Sequence, residues 1–154
     1  MRPGDVAPDF DLPTQDGARL KLSDALRDGP VVLFFYPKAM TPGCTKESCH
    51  FRDLAAEFAT AGAQRIGISA DAVDKQAKFA DKHDFDFPLV SDTDRAVAKG
   101  YGVKRPGPIM NARATFVIGQ DGKLIDVIKS EINMDTHADK ALAALAAHKA
   151  GAGT

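Results

Sequence analysis

Residues 31–36, Val-Val-Leu-Phe-Phe-Tyr, form an unbroken apolar run of β-branched and aromatic side chains. That is the pattern of a strand buried on both faces. Downstream, Phe51, Leu54, Ala55 and Phe58 recur at i, i+3, i+4 and i+7, which predicts a helix with one core-facing stripe, stopped by Gly62. Residues 64–70 read as a second strand. Residues 71–83 read as a second helix, with Val73, Ala77 and Ala80 on one side. Residues 87–90 suit a short edge strand and 94–101 a short helix ended by Gly102. After a break at Pro106-Gly107-Pro108, residues 114–118 form a strand. Asp121-Gly122 then marks a hairpin turn, and 123–128 return antiparallel. Asp135 and Thr136 are candidate caps for an Ala- and Leu-rich helix to about His148, and residues 150–154 are expected to be disordered. The first 28 residues, rich in Pro, Gly and Asp, predict loops with short strands. One lies at 18–22, followed by a turn that Ser23 could cap.

Strands and helices thus alternate first, and a hairpin plus helix follows. This order predicts an α/β chain with a central mixed sheet flanked by helices on both faces, the order of a thioredoxin-like fold. At 154 residues, without repeats or a low-complexity linker, the chain reads as one domain over 1–149. A net charge of −1 offers no basic field for nucleic acid or anionic lipid. No segment has the roughly 20 apolar residues of a membrane span. The start, Met1-Arg2-Pro3-Gly4-Asp5, leads into no secretory apolar region, so a cytoplasmic location is expected.

The candidate chemistry lies between the apolar strand and the helix. Cys44 and Cys49 are the only cysteines. Cys44 falls where the helix begins, and the partial positive charge and free N–H groups there favour a thiolate. On an ideal helix Cys44 lines up with Phe51, Ala55 and Phe58, whereas Cys49 lies about 140° away, among Arg52, Asp53, Ala56 and Glu57. Five residues of helix separate the two Cα atoms by about 8.6 Å. A disulfide needs less than about 7 Å, so the pair can join only if the first turns unwind.

Other readings stand beside this one. Two buried thiols can be inert packing. Cys44, Cys49 and His50 could supply metal ligands, although Cys49 and His50 diverge by about 100° on a helix. A thiol–disulfide exchanger would carry C-x-x-C, and this chain has C-x-x-x-x-C. The remaining histidines, His83, His137 and His148, lie in charged or terminal helical contexts and read as solvated side chains.

The run Pro37-x-x-x-Thr41-x-x-Cys44 resembles the peroxiredoxin active-site motif. With Tyr36-Pro37-Lys38, Thr41-Pro42-Gly43-Cys44-Thr45 and a second cysteine five residues on, the chain is similar to the peroxiredoxin Q or bacterioferritin-comigratory subfamily. The start Gly4-Asp5-x-Ala7-Pro8-Asp9-Phe10-x-Leu12 and Arg113 in Arg-Ala-Thr-Phe-Val-Ile match the same family, over residues 4 to about 145. Ala39-Met40 departs from it, standing where the subfamily often carries polar residues.

The resemblance implies a thiol-dependent peroxidase without metal or organic cofactor, acting on hydrogen peroxide and organic hydroperoxides. In it Cys44 is the peroxidatic nucleophile and Cys49 the resolving thiol, joined in an intramolecular disulfide that thioredoxin, or alternatively glutaredoxin, reduces. Thr41 holds the peroxide and the thiolate, Arg113 stabilises developing charge, Pro37 shapes the pocket and Glu47 orients an arginine. A monomer is expected. The competing classes are a redox sensor and a thiol–disulfide exchange protein that use the same cysteine pair.

Overall fold

The computed structural model describes residues 1–106, 111–131 and 133–152. The strand at 31–36 is β3 (Val31–Phe35), third of five in a mixed sheet with β4 (Gln64–Ser69), β5 (Leu89–Ser91), β6 (Ala114–Ile118) and β7 (Leu124–Lys129). The order is β5-β4-β3-β6-β7, with β3 parallel to β4 and antiparallel to β6. The short edge strand is therefore an edge strand, shifted to Leu89–Ser91. β1 (Asp11–Pro13) and β2 (Arg19–Lys21) form a separate two-stranded sheet.

Side-chain alternation along β3 separates two cores. Val31, Leu33 and Phe35 pack with Ile66, Ile68, Phe116 and Tyr101 on one face. The first residues of the chain, α1 (Leu22–Ala25) and α5 (Ala96–Gly100) cover that face. Val32 and Phe34 point to the other face, with Cys44, Phe51, Phe58, Phe79 and Leu145. It is covered by α2 (Pro42–Asp53), α3 (Ala55–Thr60), α4 (Val73–His83) and α6 (Asp135–Ala152). Helices thus lie on both faces, as the element order requires. Gly67 of β4 faces Phe34 and Tyr36, and a Cβ there would come within 2.7 Å of Leu89 and 2.9 Å of Phe34.

Several sequence expectations are corrected. The stripe Phe51–Phe58 does not lie on one continuous helix. The chain bends at Leu54 (φ −95°, ψ 22°), where Arg65 donates to the Phe51 carbonyl at 2.8 Å. In an unbroken helix that carbonyl accepts from Ala55, so an inserted side chain accounts for the break. Arg65 is itself fixed by Asp86, at 3.0 and 2.8 Å, and by the ring of Phe87. The buried face of α4 is Gln76, Phe79 and Ala80, rather than Val73, Ala77 and Ala80. Gln76 is drawn inward because it accepts from the Tyr36 hydroxyl (2.5 Å) and donates to Ser69 Oγ and the Val90 carbonyl, both at 3.0 Å. Ser23 lies inside α1, whose N-cap position is Lys21, and its backbone N–H donates to Asp9. At the start of α6 the side chain of Asn133 accepts from the Thr136 N–H, so neither Asp135 nor Thr136 plays that part. α6 continues past His148 to Ala152, which leaves only 153–154 of the expected tail, outside the described residues. Residues 107 and 108 of the Pro106-Gly107-Pro108 break also lie outside them.

The stack of Phe51 on Phe34 (centroids 4.1 Å apart) presses α2 onto the sheet. Phe51→Ala is expected to destabilise the reduced protein by about 3–5 kcal/mol in urea unfolding. A loss below about 1 kcal/mol would show that α2 is held by something else.

Candidate active site

β3 ends at Phe35, and the loop 36–41 leads into α2. Antiparallel pairing sets Phe35 opposite Ala114, so Arg113, one residue before β6, lies beside this loop although it is far away in sequence. Strand alternation puts Arg113 and Thr115 on the same face as Val117, the face packed by α2 and α6. β-sheet register thus delivers Arg113 to the start of α2.

The loop is fixed from below. The Ala39 N–H donates to Asp71 at 2.7 Å, and Asp71 also accepts from Ser69 Oγ at 2.7 Å and pairs with Lys75 at 3.3 Å. Met40 takes a left-handed conformation (φ 69°), uncommon outside glycine, which turns the chain into α2. Thr41 is the N-cap by position, but its hydroxyl donates to the Lys38 carbonyl at 2.7 Å and does not cap. With its proton given to Lys38, that hydroxyl offers only lone pairs, so it can accept from a ligand and not donate to a thiolate. Pro42 opens the helix, where its missing N–H is no loss. The N–H groups of Gly43 and Cys44 lie in the first turn, where the helix supplies no acceptors. Pro37, within this loop, is half-buried.

Cys44 is fully buried in this first turn. Arg113 Nη2 donates to Cys44 Sγ at 3.3 Å, and Nη1 donates to Glu47 Oε1 at 2.8 Å. The structure therefore brings Cys44, Glu47 and Arg113 together, with the Glu47 carboxyl accepting from the guanidinium. Burial works against the Arg113 charge, but Glu47 and Cys44 outweigh it and hold the guanidinium above its usual value. Burial pushes the Glu47 carboxyl up, with Arg113 pulling it down. The backbone N–H of Arg113 donates to Glu131 at 3.0 Å, and Glu131 also accepts from Arg105 at 2.5 Å.

Cys49 lies elsewhere. It is half-buried on the same uninterrupted helix, five residues on, and is a free thiol like Cys44. Burial raises its pKa, Arg52 lowering it and Asp53 raising it further. His50, the third member of the metal reading, is turned to Asp139 of α6 at 2.8 Å. Among the described residues no group of three His, Cys, Asp or Glu could hold a metal. No helix among them is long and apolar enough to cross a membrane.

The sequence reading missed two residues. Asp71 gave a signal of position, since it follows the carboxyl end of β4, where α/β sites gather. His137 was expected to be solvated and is instead fully buried. Its Nδ1 is 2.8 Å from Thr115 Oγ1, and its Nε2 lies 2.9 Å from the Ser130 carbonyl and 3.5 Å from Glu47 Oε2. Placed three residues into α6 it looked terminal, but that end of the helix abuts β6 and α2. Of the other two, His148 is exposed. His83 is half-buried, stacked on Phe85, and burial lowers its pKa.

The AhpC/TSA family model matches residues 3–127. Peroxiredoxin Bcp of Escherichia coli K12 is 38% identical over 154 residues, covering 96% of this chain and 97% of its own. Among solved structures, Peroxidoxin BcpB of Mycobacterium tuberculosis superposes with a TM-score of 0.93 at 59% identity, over 96% of this chain and 97% of that one. The Bacterioferritin Comigratory Protein of Xanthomonas campestris, studied for its alkyl peroxide reduction activity, gives 0.83 at 34% identity, over 90% and 91%. With similarity along nearly its whole length, the chain belongs to the AhpC/TSA family, with the Bcp and Q peroxiredoxins.

Proposed function

We propose that Cys44 is the sulfur at which this thiol peroxidase reduces its peroxide, and that Cys49 resolves the product within the same chain. The observation that carries the reading is the 3.3 Å contact of Arg113 Nη2 with a buried Cys44 Sγ in the first turn of a helix. The Cys44 thiolate attacks the nearer peroxide oxygen, the S–O bond forms, the O–O bond breaks, and the departing oxygen takes a proton to leave as water or an alcohol. Arg113 and the N–H groups of Gly43 and Cys44 are placed to stabilise the negative charge as it moves from sulfur to that oxygen. Thr41 accepts a hydrogen bond from the peroxide O–H, and Pro37 walls the pocket. Cys49 then attacks the sulfenic acid, releasing water and forming the disulfide.

A dithiol protein of the thioredoxin class is the proposed reductant, with glutaredoxin the alternative, and the chain acts as a monomer in the reducing cytoplasm. Hydrogen peroxide and organic hydroperoxides are the proposed substrates. The apolar pair Ala39-Met40 in the loop and Met134 Sδ near Gly43 suit an alkyl group, the class reduced by the Xanthomonas campestris relative.

Arg113→Ala is expected to slow oxidation of Cys44 by more than about tenfold, measured by rapid mixing with peroxide on protein shown to be folded. A wild-type rate would remove Arg113 from the chemistry.

Peroxide treatment is expected to give a monomer lighter by about 2 Da, the two hydrogens lost on disulfide formation. In that product the amides of the first turns of α2 lose hydrogen-exchange protection, while those of β3 keep it. Cys49→Ser is expected to react once and stop at sulfenic or sulfinic acid. Normal turnover of Cys49→Ser with thioredoxin as the sole thiol source, or an oxidised form with α2 fully protected, would sink the intramolecular disulfide.

A further inference from the structure

Glu47 is the acid on which the Arg113 geometry depends, and its two oxygens are unequally served. Oε1 accepts from Arg113, whereas Oε2 is buried without a hydrogen-bond partner among the described residues. Burial disfavours the carboxylate, so the side on which Oε2 lies matters. The imidazole of His137 lies there, its Nε2 3.5 Å from Oε2.

The tautomer of that imidazole follows from its partners. The Ser130 carbonyl, 2.9 Å from Nε2, can only accept, so Nε2 carries a hydrogen. In the neutral ring Nδ1 is then a lone pair, and it accepts from the Thr115 hydroxyl at 2.8 Å. The alternative tautomer would set three acceptors, Nε2, the Ser130 carbonyl and Glu47 Oε2, against one another. Thr115 and Ser130 therefore fix which edge of the ring meets Glu47, and it is the positive N–H edge. The charged groups facing the pair are Arg113, before β6, and Glu131, after β7. Burial first, then Arg113, lowers the His137 pKa, while Ser130 and Glu131 raise it.

We propose that His137 is a positioning residue for the peroxidase reaction. Its neutral imidazole, locked as the Nε2–H tautomer by Thr115 and Ser130, sets its N–H edge against Oε2 and keeps the Glu47 carboxyl in line, so that Arg113 points its second nitrogen at Cys44. The proposal rests on the reading of Cys44 as the peroxide-reducing sulfur. It adds a five-residue relay of contacts, Thr115–His137–Glu47–Arg113–Cys44, that joins β6, α6 and α2.

The test is the rate of Cys44 oxidation by hydrogen peroxide in the reduced protein, followed by rapid mixing and mass spectrometry. It is run on the wild type and on His137→Leu, His137→Gln, Thr115→Val, Glu47→Gln and the double variant His137→Leu/Glu47→Gln, and peroxide consumption is followed beside it in Cys44→Ser. His137→Leu is expected to be slower by about tenfold, and His137→Gln, which keeps an N–H donor, recovers most of that loss. Thr115→Val, which removes the lock and leaves the histidine, shifts the rate in the same direction as His137→Leu. The double variant is expected to be no slower than Glu47→Gln alone, because His137 acts only through Glu47. A purely structural histidine would give additive losses and no rescue by Gln.

Urea unfolding gives a second readout, which holds even where His137→Leu folds poorly. A buried neutral histidine refuses the proton that the unfolded chain takes up below its ordinary value of about 6.5, so stability falls as pH drops through that value. His137→Gln is expected to lose that component of the acid slope. A wild-type rate in His137→Leu, additive losses in the double variant, or an unchanged acid slope in His137→Gln overturns the proposal. If Cys44→Ser still consumes peroxide, the underlying reading of the site falls with it. If Cys44→Ser is inert and His137→Leu is unimpaired, only the role of His137 falls.

Discussion

Arg113 carries a full charge into a site where its side chain is 7% exposed and that of its partner Glu47 not at all. Desolvating two such groups costs several kcal/mol per ion, and the attraction between them offsets this only when the geometry is good and the remaining donors are used. Both conditions shape what surrounds the pair. Register between β3 and β6 fixes where the guanidinium starts. Glu131 holds its backbone N–H, and Glu47, one turn beyond Cys44, sits where α2 passes the strand end. The sulfur occupies the second guanidinium nitrogen. The cysteine is thus one of the groups that make burial of the cation tolerable, and the proposed chemistry and the stability meet at the same atoms.

Helix α2 serves two purposes that pull against each other. As a scaffold it keeps Cys44 and Glu47 one turn apart and in reach of the same guanidinium. As the carrier of both cysteines it forbids their disulfide, because a continuous helix holds them too far apart. The bend at Leu54 belongs to the same design. Arg65 grips the Phe51 carbonyl, and Arg52 donates to the His83 carbonyl at 2.6 Å, so the far end of α2 is tied to β4 and α4. The near end is tied through the Arg113 contacts to Cys44 and Glu47, and the loop before it through Asp71.

The sheet and most helices were legible because their signals are local. The run 31–36 alternates two cores, the Asp121-Gly122 turn sets a hairpin, and Gly62 and Gly102 both adopt the positive φ of a helix stop. The errors came where a side chain from elsewhere in the fold intervenes. No reading of 51–58 contains Arg65, and no reading of 73–83 contains the Tyr36 hydroxyl that draws Gln76 inward. The site divides in the same way. Cys44 and Cys49 were legible from position on a helix. Glu47 and Arg113 became legible only through resemblance, since their contact joins residues 66 positions apart in sequence. His137 stayed hidden because a polar residue near a helix start is usually solvated, and only the packing of α6 against β6 buries it.

How far α2 must unwind in the proposed cycle follows from the energies of its ties. Releasing Phe51 would cost on the order of 3–5 kcal/mol, the scale of losing a buried aromatic ring. The pair His50–Asp139 is partly exposed, and such pairs contribute only about 0–1 kcal/mol. The economical boundary therefore lies between Cys49 and Phe51, just far enough along to free both cysteines. At the other end, the tie between Arg113 and sulfur is strongest while the sulfur is charged. Oxidation to a neutral sulfenic acid removes that charge and weakens the contact holding the first turn, without disturbing the Glu47 side of the guanidinium. The chemical step itself thus loosens the segment that must move next, while the aromatic stack beyond residue 50 holds the rest of the fold in place.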